Sequence, residues 1–311
     1  MMAPPPIPRA PAATEFPQLR ANPTARVLSQ LSLELHHFAY FHGDAAWQYP
    51  DKVLPCGAFY LVLGGDGWIG PSPRQRTPLR PGRAYWLPPG VPVSVGCQTG
   101  IEKYWGLASL EWFPGMDLLE GGPAFIDLGP FTLGEPRARF ERRLGSGNGA
   151  DYLFLTGFLL QLLSRAGTAL ETALQRHFHR FSKPSPVLAQ IRDHLSAEVR
   201  INDLADTLRM TPSSLSRAFH RDTGMTLKEF IARRLHRQAC ALLADDTLHI
   251  QEVSRLLGFR DPAHFSRFFA ARGGGPPTAY RDRLTRGRVS PAAPGPHSSH
   301  ESHKSPHFAP Q

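Results

Sequence analysis

The chain has 311 residues, a formal net charge of +9 and three cysteines. That length supports two domains with cores of their own, without covalent staples. Cys56, Cys97 and Cys240 are odd in number, far apart and without a CxxC pair, which argues against a disulfide framework and a structural zinc site and points to a reducing cytosol.

Residues 1–25 include MMAPPPIPRAPAATEFP, too rich in Pro and Ala to pack, and read as a disordered arm. No apolar run follows a basic start, so no signal peptide is expected. Residues 26–135 are broken by Gly and Pro every few positions, with the apolar runs AFYLVLGG, DGWIG, RAYWLPPG and KYWGLASL between the breaks. This is the pattern of a small all-β barrel or sandwich. Asp66-Gly67 is a tight-turn signal between two of these runs. No nucleophile elbow or phosphate-binding loop is present, and Gly64-Gly65-Asp66-Gly67 reads as a turn.

The signature changes near residue 150. DYLFLTGFLLQLLSRAGTAL carries long apolar faces without proline, which reads as helix. Its most apolar part, Tyr152 to Leu163, has twelve residues, whereas a membrane span needs roughly twenty. A buried helix is therefore expected, and no membrane contact. The excess apolar surface of residues 136–182 suits a helical dimerisation segment, with a homodimer as the expected assembly. FSKPSP at 181–186 reads as a linker.

Everything from Val187 to Leu284 reads as helix. Leu188, Ile191, Leu195 and Val199 share one face, and Pro186 stands where a first helical turn tolerates it. Asn202 is a candidate N-cap for a short helix bearing Leu204, Ala205 and Leu208. Met210 and Thr211 would form a tight turn, and Thr211 or Ser213 would cap a second helix bearing Leu215 and Phe219. Two short helices so joined form a helix-turn-helix. A plain helical hairpin fits one such unit equally well.

The unit then recurs. Ile250, Val253, Ser254, Leu257 and Phe259 align with Ile201, Leu204, Ala205, Leu208 and Met210 at an offset of 49. After one inserted residue, Phe265, Ser266, Arg267, Phe269 and Gly274 align with Leu215, Ser216, Arg217, Phe219 and Gly224 at an offset of 50. Between the copies, LKEFIARRLHRQACALLADD is a strong helix pattern through Leu227, Phe230, Ile231, Leu235, Ala239, Leu242 and Leu243. Leu227 to Leu243 spans about 25 Å at 1.5 Å per residue; with its flanking turns it suits helices in successive major grooves, roughly 34 Å apart. Residues 187–288 hold 17 Lys or Arg against 11 Asp or Glu, while residues 1–186 hold 17 against 14. A basic excess in one segment suggests a polyanion partner, although a solvated basic face gives the same composition.

Residues 187–284 closely resemble the DNA-binding domain of AraC/XylS-type bacterial transcription regulators. The most diagnostic stretch is GFRDPAHFSRFFAARGGGPPTAYR, where Gly258, Phe259, Phe265, Arg267, Phe269, Gly274, Pro277, Tyr280 and Arg281 match the family signature. The first copy matches through Leu204, Ala205, Leu215, Ser216, Arg217, Phe219 and Gly224. Phe219, Phe265 and Phe269 read as core, and Gly258 and Gly274 as helix ends. By position in the pattern, Ser213, Ser214, Ser216, Arg217 and His220 face the groove in the first helix, and Ala263, His264, Ser266 and Arg267 in the second. Arg217 and Arg267 are the leading candidates for base or phosphate contact, since a guanidinium pairs bidentately with guanine. The second copy departs from the family at Pro262, Ala263 and Ala270. The first helix is therefore expected to carry most base readout, and the second to grip backbone.

In LRPGRAYWLPPGVPV, Gly82, Pro88 and Gly90 resemble the second motif of cupin barrels, whose metal-binding His would fall at position 93; this chain has Val93. No His occurs between Phe59 and Pro92, and an oxygenase would need His and carboxylate ligands. His36, His37 and His42 lie upstream of the expected place and read as strand or surface residues. Tyr60, Trp68, Tyr85, Trp86 and Trp105 are available as ligand walls or as barrel core.

The resemblance thus implies an α+β multidomain chain. A cupin-like effector-binding barrel at 26–135 is followed by the helices of 136–182 and by a DNA-binding domain at 187–286 with two helix-turn-helix motifs joined by a linker helix. The implied function is a cytoplasmic, nucleoid-associated transcription regulator, an activator or a repressor. Its partners would be double-stranded promoter DNA, a small-molecule effector with sugars as one class, and RNA polymerase. No cofactor or metal is implied and no enzyme activity is expected; the alternative is a cupin-type metalloenzyme fused to a DNA-binding domain. The tail at 289–311 holds His297, His300, His303 and His307 and reads as low-complexity and disordered rather than metal-binding.

Overall fold

The Gly and Pro breaks of the N-terminal half separate ten strands: β1 Ser32–Asp44, β2 Gln48–Val53, β3 Gly57–Gly65, β4 Trp68–Ser72, β5 Gln75–Pro78, β6 Arg83–Leu87, β7 Pro92–Gly96, β8 Gly100–Phe113, β9 Met116–Asp117 and β10 Ile126–Pro130. They belong to a computed structural model that describes residues 31–113, 115–181, 201–245, 247–273 and 275–285. The expected arm at 1–25, the linker at 182–186 with Pro186, the helix through Leu188 and Val199, Gly274 as a helix end and the tail at 289–311 with its histidines lie outside the described residues.

The strands form two antiparallel sheets, β1-β8-β3-β6-β10 with β9 beside β8, and β2-β7-β4-β5. β1 pairs β8, β2 pairs β7, β3 pairs β6 and β4 pairs β5. The chain therefore folds as one long hairpin rolled up on itself, which is the double-sheet jelly roll. Asp66-Gly67 does turn the chain between two runs, but it joins β3 of one sheet to β4 of the other and closes no hairpin. The Asp66 carboxylate instead accepts the backbone N–H groups of Gln98 and Thr99 at 2.9 Å each, pinning the start of β8.

Along β3 every residue from Gly57 to Val62 is buried, because both faces of its sheet are covered. Successive side chains point to opposite faces. Ala58, Tyr60 and Val62 fill the space between the sheets with Ile69, Val93 and Val95. Phe59 and Leu61 point outward into a second core with Trp86, Tyr104 and Phe140.

That second core is roofed by α1 Arg137–Ser146, α2 Gly149–Leu163 and α3 Gly167–Phe181. Phe140 is fully buried, its ring 5.3 Å from Tyr104 and 5.5 Å from Phe158. Asn148 caps α2 by accepting the Asp151 N–H at 2.9 Å. Leu155, Leu159, Leu162 and Leu163 are buried, while Leu153 is 71% exposed and Tyr152 and Leu160 44% each. The expectation of a buried helix is thus corrected: the sheet covers only one face of α2. The run Gly149–Arg176 is long and apolar enough by composition to cross a membrane, but its leucines divide between this sheet-facing stripe and the exposed one.

The C-terminal half consists of α4 Ile201–Thr207, α5 Pro212–Thr223, α6 Leu227–Ala244, α7 Ile250–Leu256, α8 Pro262–Gly273 and α9 Pro277–Thr285. Asn202 lies inside α4, so it is not the N-cap that its residue type suggested. α6 is the shared rod. At one end its Phe230 meets Phe219 of α5 at 5.1 Å; at the other its Ala239 and Leu243 share a core with Phe265 and Phe269 of α8.

α6 also docks on the jelly roll. Arg237 is 6% exposed and donates to Glu111 at 3.1 Å, to Glu120 at 3.2 Å and to the Pro55 carbonyl at 3.3 Å. Arg233 pairs with Glu120 as well, and Phe230 meets Phe113 at 5.8 Å. Gly115 permits this approach: it has φ +81, and a Cβ there would stand 3.0 Å from the Phe230 ring.

Two histidines are buried along α6, His36 where the helix meets the jelly roll and His236 against α8. His36, bonded to the Ser109 hydroxyl at 2.8 Å, and His236, 4.7 Å from the Phe269 ring, are both pushed down to about 4 by burial. Their folded values lie below the ordinary 6.5, so they favour folding above about pH 6.5, and that contribution is lost as pH falls towards 4. Asp117, whose carboxyl burial pushes up to about 7, works in the opposite direction over the same range. The histidine part is therefore isolated by difference. Between pH 7 and pH 5 the denaturation midpoint of His236→Phe should fall less than that of the native protein; equal falls would contradict the assignment.

Candidate nucleic-acid interface

The first helix-turn-helix is built by local hydrogen bonding. Leu208 N–H donates to the Leu204 carbonyl at 3.0 Å and Met210 N–H to the Ala205 carbonyl at 2.9 Å. The pivot between them is Arg209, with φ 51, so the turn lies one residue earlier than Met210-Thr211. Thr211 then caps α5, its hydroxyl accepting the Ser214 N–H at 3.2 Å, with Pro212 in the first turn. Gly224 ends the helix at φ 73, where an L side chain would be strained.

The second copy repeats this bond for bond. Leu257 N–H donates to Val253 at 3.1 Å and Phe259 N–H to Ser254 at 3.0 Å. Gly258, at φ 74, occupies the pivot that Arg209 holds in the first copy. Asp261 takes the capping position, its carboxylate accepting from Ala263 N–H at 2.8 Å and His264 N–H at 3.3 Å. Residue choice at pivot and cap differs while the geometry is kept. Thr211→Ala should cost about 1 kcal/mol, read as a lowered denaturant midpoint at unchanged slope.

Burial sorts the faces of the two second helices. Leu215, Phe219, Phe265 and Phe269 are fully buried. On the opposite face of α5, Ser213, Arg217 and His220 are exposed and Ser214 and Ser216 partly so. The Thr211 hydroxyl also donates to the Ser214 hydroxyl at 2.9 Å. On α8, Ala263, His264 and Arg267 are exposed and Ser266 partly so. The Ser266 hydroxyl donates to the Pro262 carbonyl at 2.9 Å, and the Arg267 guanidinium lies 4.0 Å from the Asp261 carboxylate. The nine sequence-selected positions therefore fall on two outer helix faces, none of them in a core.

The two faces are held in fixed relation by α6. Thr226 caps it by accepting from Glu229 N–H at 3.2 Å. Arg272, at the end of α8, reaches back to Glu229 at 3.2 Å, and Arg281 in α9 donates to the Leu243 carbonyl at 3.2 Å. Eighteen helical residues make a rod of about 27 Å. Arg233, Arg237 and Arg272 thus spend their charge on ion pairs within the chain, so only part of the segment's basic excess is left for a polyanion.

The aromatic residues of the jelly roll also separate. Tyr60 and Trp105 line a cavity between the sheets, with Val93 beside them. Trp68 stacks under the Arg76 guanidinium at 4.2 Å, while Tyr85 and Trp86 are fully buried core. His36, His37 and His42 all lie on β1. The residues that sequence reasoning passed over are Lys103, in the same cavity, and Arg237; the available signal was a lysine at the head of the apolar run KYWGLASL.

A sequence profile described as a helix-turn-helix domain matches residues 204–283. The chain is 30% identical over 272 residues to the uncharacterized HTH-type transcriptional regulator YfiF of Bacillus subtilis strain 168, covering 80% of this chain and 84% of that one. It is 30% identical over 242 residues to the arabinose operon regulatory protein of Salmonella typhimurium, covering 71% and 82%. The match to the Msm operon regulatory protein of Streptococcus mutans is also 30% identical but spans 94 residues, 30% of this chain and 34% of that protein. Among solved structures, ToxT from Vibrio cholerae O395 superposes with a TM-score of 0.45 at 12% identity, over 82% of this chain and 98% of that one.

Proposed function

Since the chain belongs to the AraC-type helix-turn-helix transcription regulators, we propose that it binds promoter DNA through α5 and α8, and that a small molecule held in the jelly roll sets how those helices are presented. The carrying observation is the repetition itself: two helix-turn-helix units with matching turns, each with an exposed Arg and a partly exposed Ser, fixed to one rod.

In this reading Ser213, Ser214, Ser216, Arg217 and His220 enter one major groove, and Ala263, His264, Ser266 and Arg267 the next. α5 presents hydroxyls, a guanidinium and an imidazole, the groups that read base edges. α8 presents Ala263 where α5 has a hydroxyl, so it contributes phosphate contacts and fixes the register. The exposed stripe of Leu153 and Leu160 on α2 is the seam of a homodimer. RNA polymerase is the further partner of an activator, and the cytoplasm, on the nucleoid, the place of action. A cupin metalloenzyme would need a ligand at position 93, and the Val93 side chain offers none.

Competition binding tests the proposal. At physiological salt the purified protein should bind its own upstream region at least about 10³-fold more tightly than random DNA of equal length. Equal affinity for both would overturn it.

A further inference from the structure

The alternation of β8 decides what faces the cavity between the sheets. Tyr104 and Ala108 point to the helices, whereas Lys103, Trp105 and Leu107 point inward and line the cavity. Lys103 is 2% exposed. Its Nζ lies 3.4 Å from the ring centroid of Tyr60, 3.7 Å from that of Trp47 and 5.2 Å from that of Phe41. Such rings attract an ammonium through their negative faces, but they do not neutralise it. Burial, with Lys52 nearby, pushes this lysine well below the ordinary range.

The cavity measures about 60 Å³, and its fifteen described lining residues include two lysines, Lys52 and Lys103, and no Asp, Glu, Asn, Gln, Ser or Thr. That inventory discriminates between ligand classes. A cationic ligand would meet two like charges and an aromatic box already occupied by Lys103. A sugar would bring several hydroxyls into a lining without a single carboxylate or side-chain amide, where the hydroxyls of Tyr49, Tyr60 and Tyr280 are the side-chain acceptors, and buried hydroxyls in excess of partners are unfavourable. An anion with an apolar body satisfies both halves of the site.

We propose that this cavity receives a small organic carboxylate, its charge paired with Lys103 Nζ and its apolar body lying against Trp47, Tyr60 and Trp105. The assignment rests on the reading of the jelly roll as the effector-binding domain and narrows it from small molecules in general to monoanions. Tyr280, on α9 of the DNA-binding half, forms part of the same lining. An occupant therefore touches the DNA-binding half directly, and its differential contact with Tyr280 is what could bias one arrangement of the two halves over another.

The test uses the full chain and two carboxylates, butyrate and benzoate, each with its neutral amide, butyramide and benzamide. Tryptophan fluorescence, from Trp47 and Trp105 at the cavity, and the thermal midpoint are the readouts. At least one carboxylate should bind saturably, and its amide should bind at least tenfold more weakly. Lys103→Met, which keeps the length and removes the charge, should weaken the carboxylate at least tenfold. The amide comparison needs only native protein, so it decides the matter even if that variant does not fold. An amide binding as tightly as its acid, a Lys103→Met protein that keeps full carboxylate affinity, or no binding of either carboxylate would overturn the proposal. L-Arabinose in the same titration separates the two levels: a saturable fluorescence change with the sugar alone leaves the effector-binding reading standing and removes the charge assignment, and no response to any compound removes both.

Discussion

The Arg237→Met variant should unfold with about 3–5 kcal/mol less stability than the native protein, the range for breaking a buried ion pair by removing one partner. Arg237 is the most deeply buried cation at the junction of the two halves among the described residues. It bridges Glu111 and Glu120 at 3.1 and 3.2 Å and also donates to the Pro55 carbonyl. Methionine fills much of its volume but takes from Glu111 its ion-pair partner, leaves Glu120 with Arg233 alone, and removes the cation that faces Asp117 behind them. A double-mutant cycle with Glu111→Gln should recover part of the loss, because the two residues are in direct contact. A loss below about 1 kcal/mol would mean that the bridge behaves as a solvated surface pair and that α6 is not held as described. Because α6 also carries both helix-turn-helix units, this bridge connects the stability of the docked arrangement to the presentation of the DNA-reading faces.

Arg217→Ala should cost about 1–3 kcal/mol on the preferred DNA site and relax the preference at one base position. Arg217 is exposed at the middle of α5, between Ser213 and His220 and opposite the buried Leu215 and Phe219, so the substitution removes nothing from the core. Arg267→Ala is expected to behave differently. It should weaken binding almost uniformly across sequences and reduce the salt slope by about 1, since its neighbours Pro262 and Ala263 supply no hydrogen-bonding side chain to a base edge. Quantitative binding to a set of single-base variants of the site reads both. A uniform loss for Arg217→Ala would reassign it to phosphate; a base-specific loss for Arg267→Ala would remove the division of labour between the helices.

The two helix-turn-helix units were legible in the sequence because they are local. The spacing of Leu204, Leu208, Leu215 and Phe219, and its recurrence fifty positions later, fixes which face is buried without reference to anything distant. The pivot was harder to place: the second copy carries Gly258, whereas Arg209 occupies the same left-handed conformation in the first and carries no glycine signal. Punctuation in the N-terminal half gave strand content but not partnership. Asp66-Gly67 looks like a hairpin turn and is a crossover between sheets, since pairing depends on residues such as Val62 and Lys103 that are remote in sequence. Least legible was the docking of α6. Arg233 and Arg237 read as part of a basic, solvated face, and only the folded chain shows Glu111 and Glu120 waiting for them. Lys103 was hidden for the same reason: a single charge in an apolar run takes its meaning from the rings that three other strands and loops bring around it.

The claim that two helix-turn-helix units on one rod read adjacent major grooves is tested most directly by guanine-methylation interference on the protein's own upstream DNA. Two clusters of interfering guanines in the major groove are expected, centred roughly one helical turn, about 34 Å, apart on one face of the duplex. The cluster assigned to α5 should vanish in Arg217→Ala while the other persists. A single cluster, or two on opposite faces of the helix, would contradict the account.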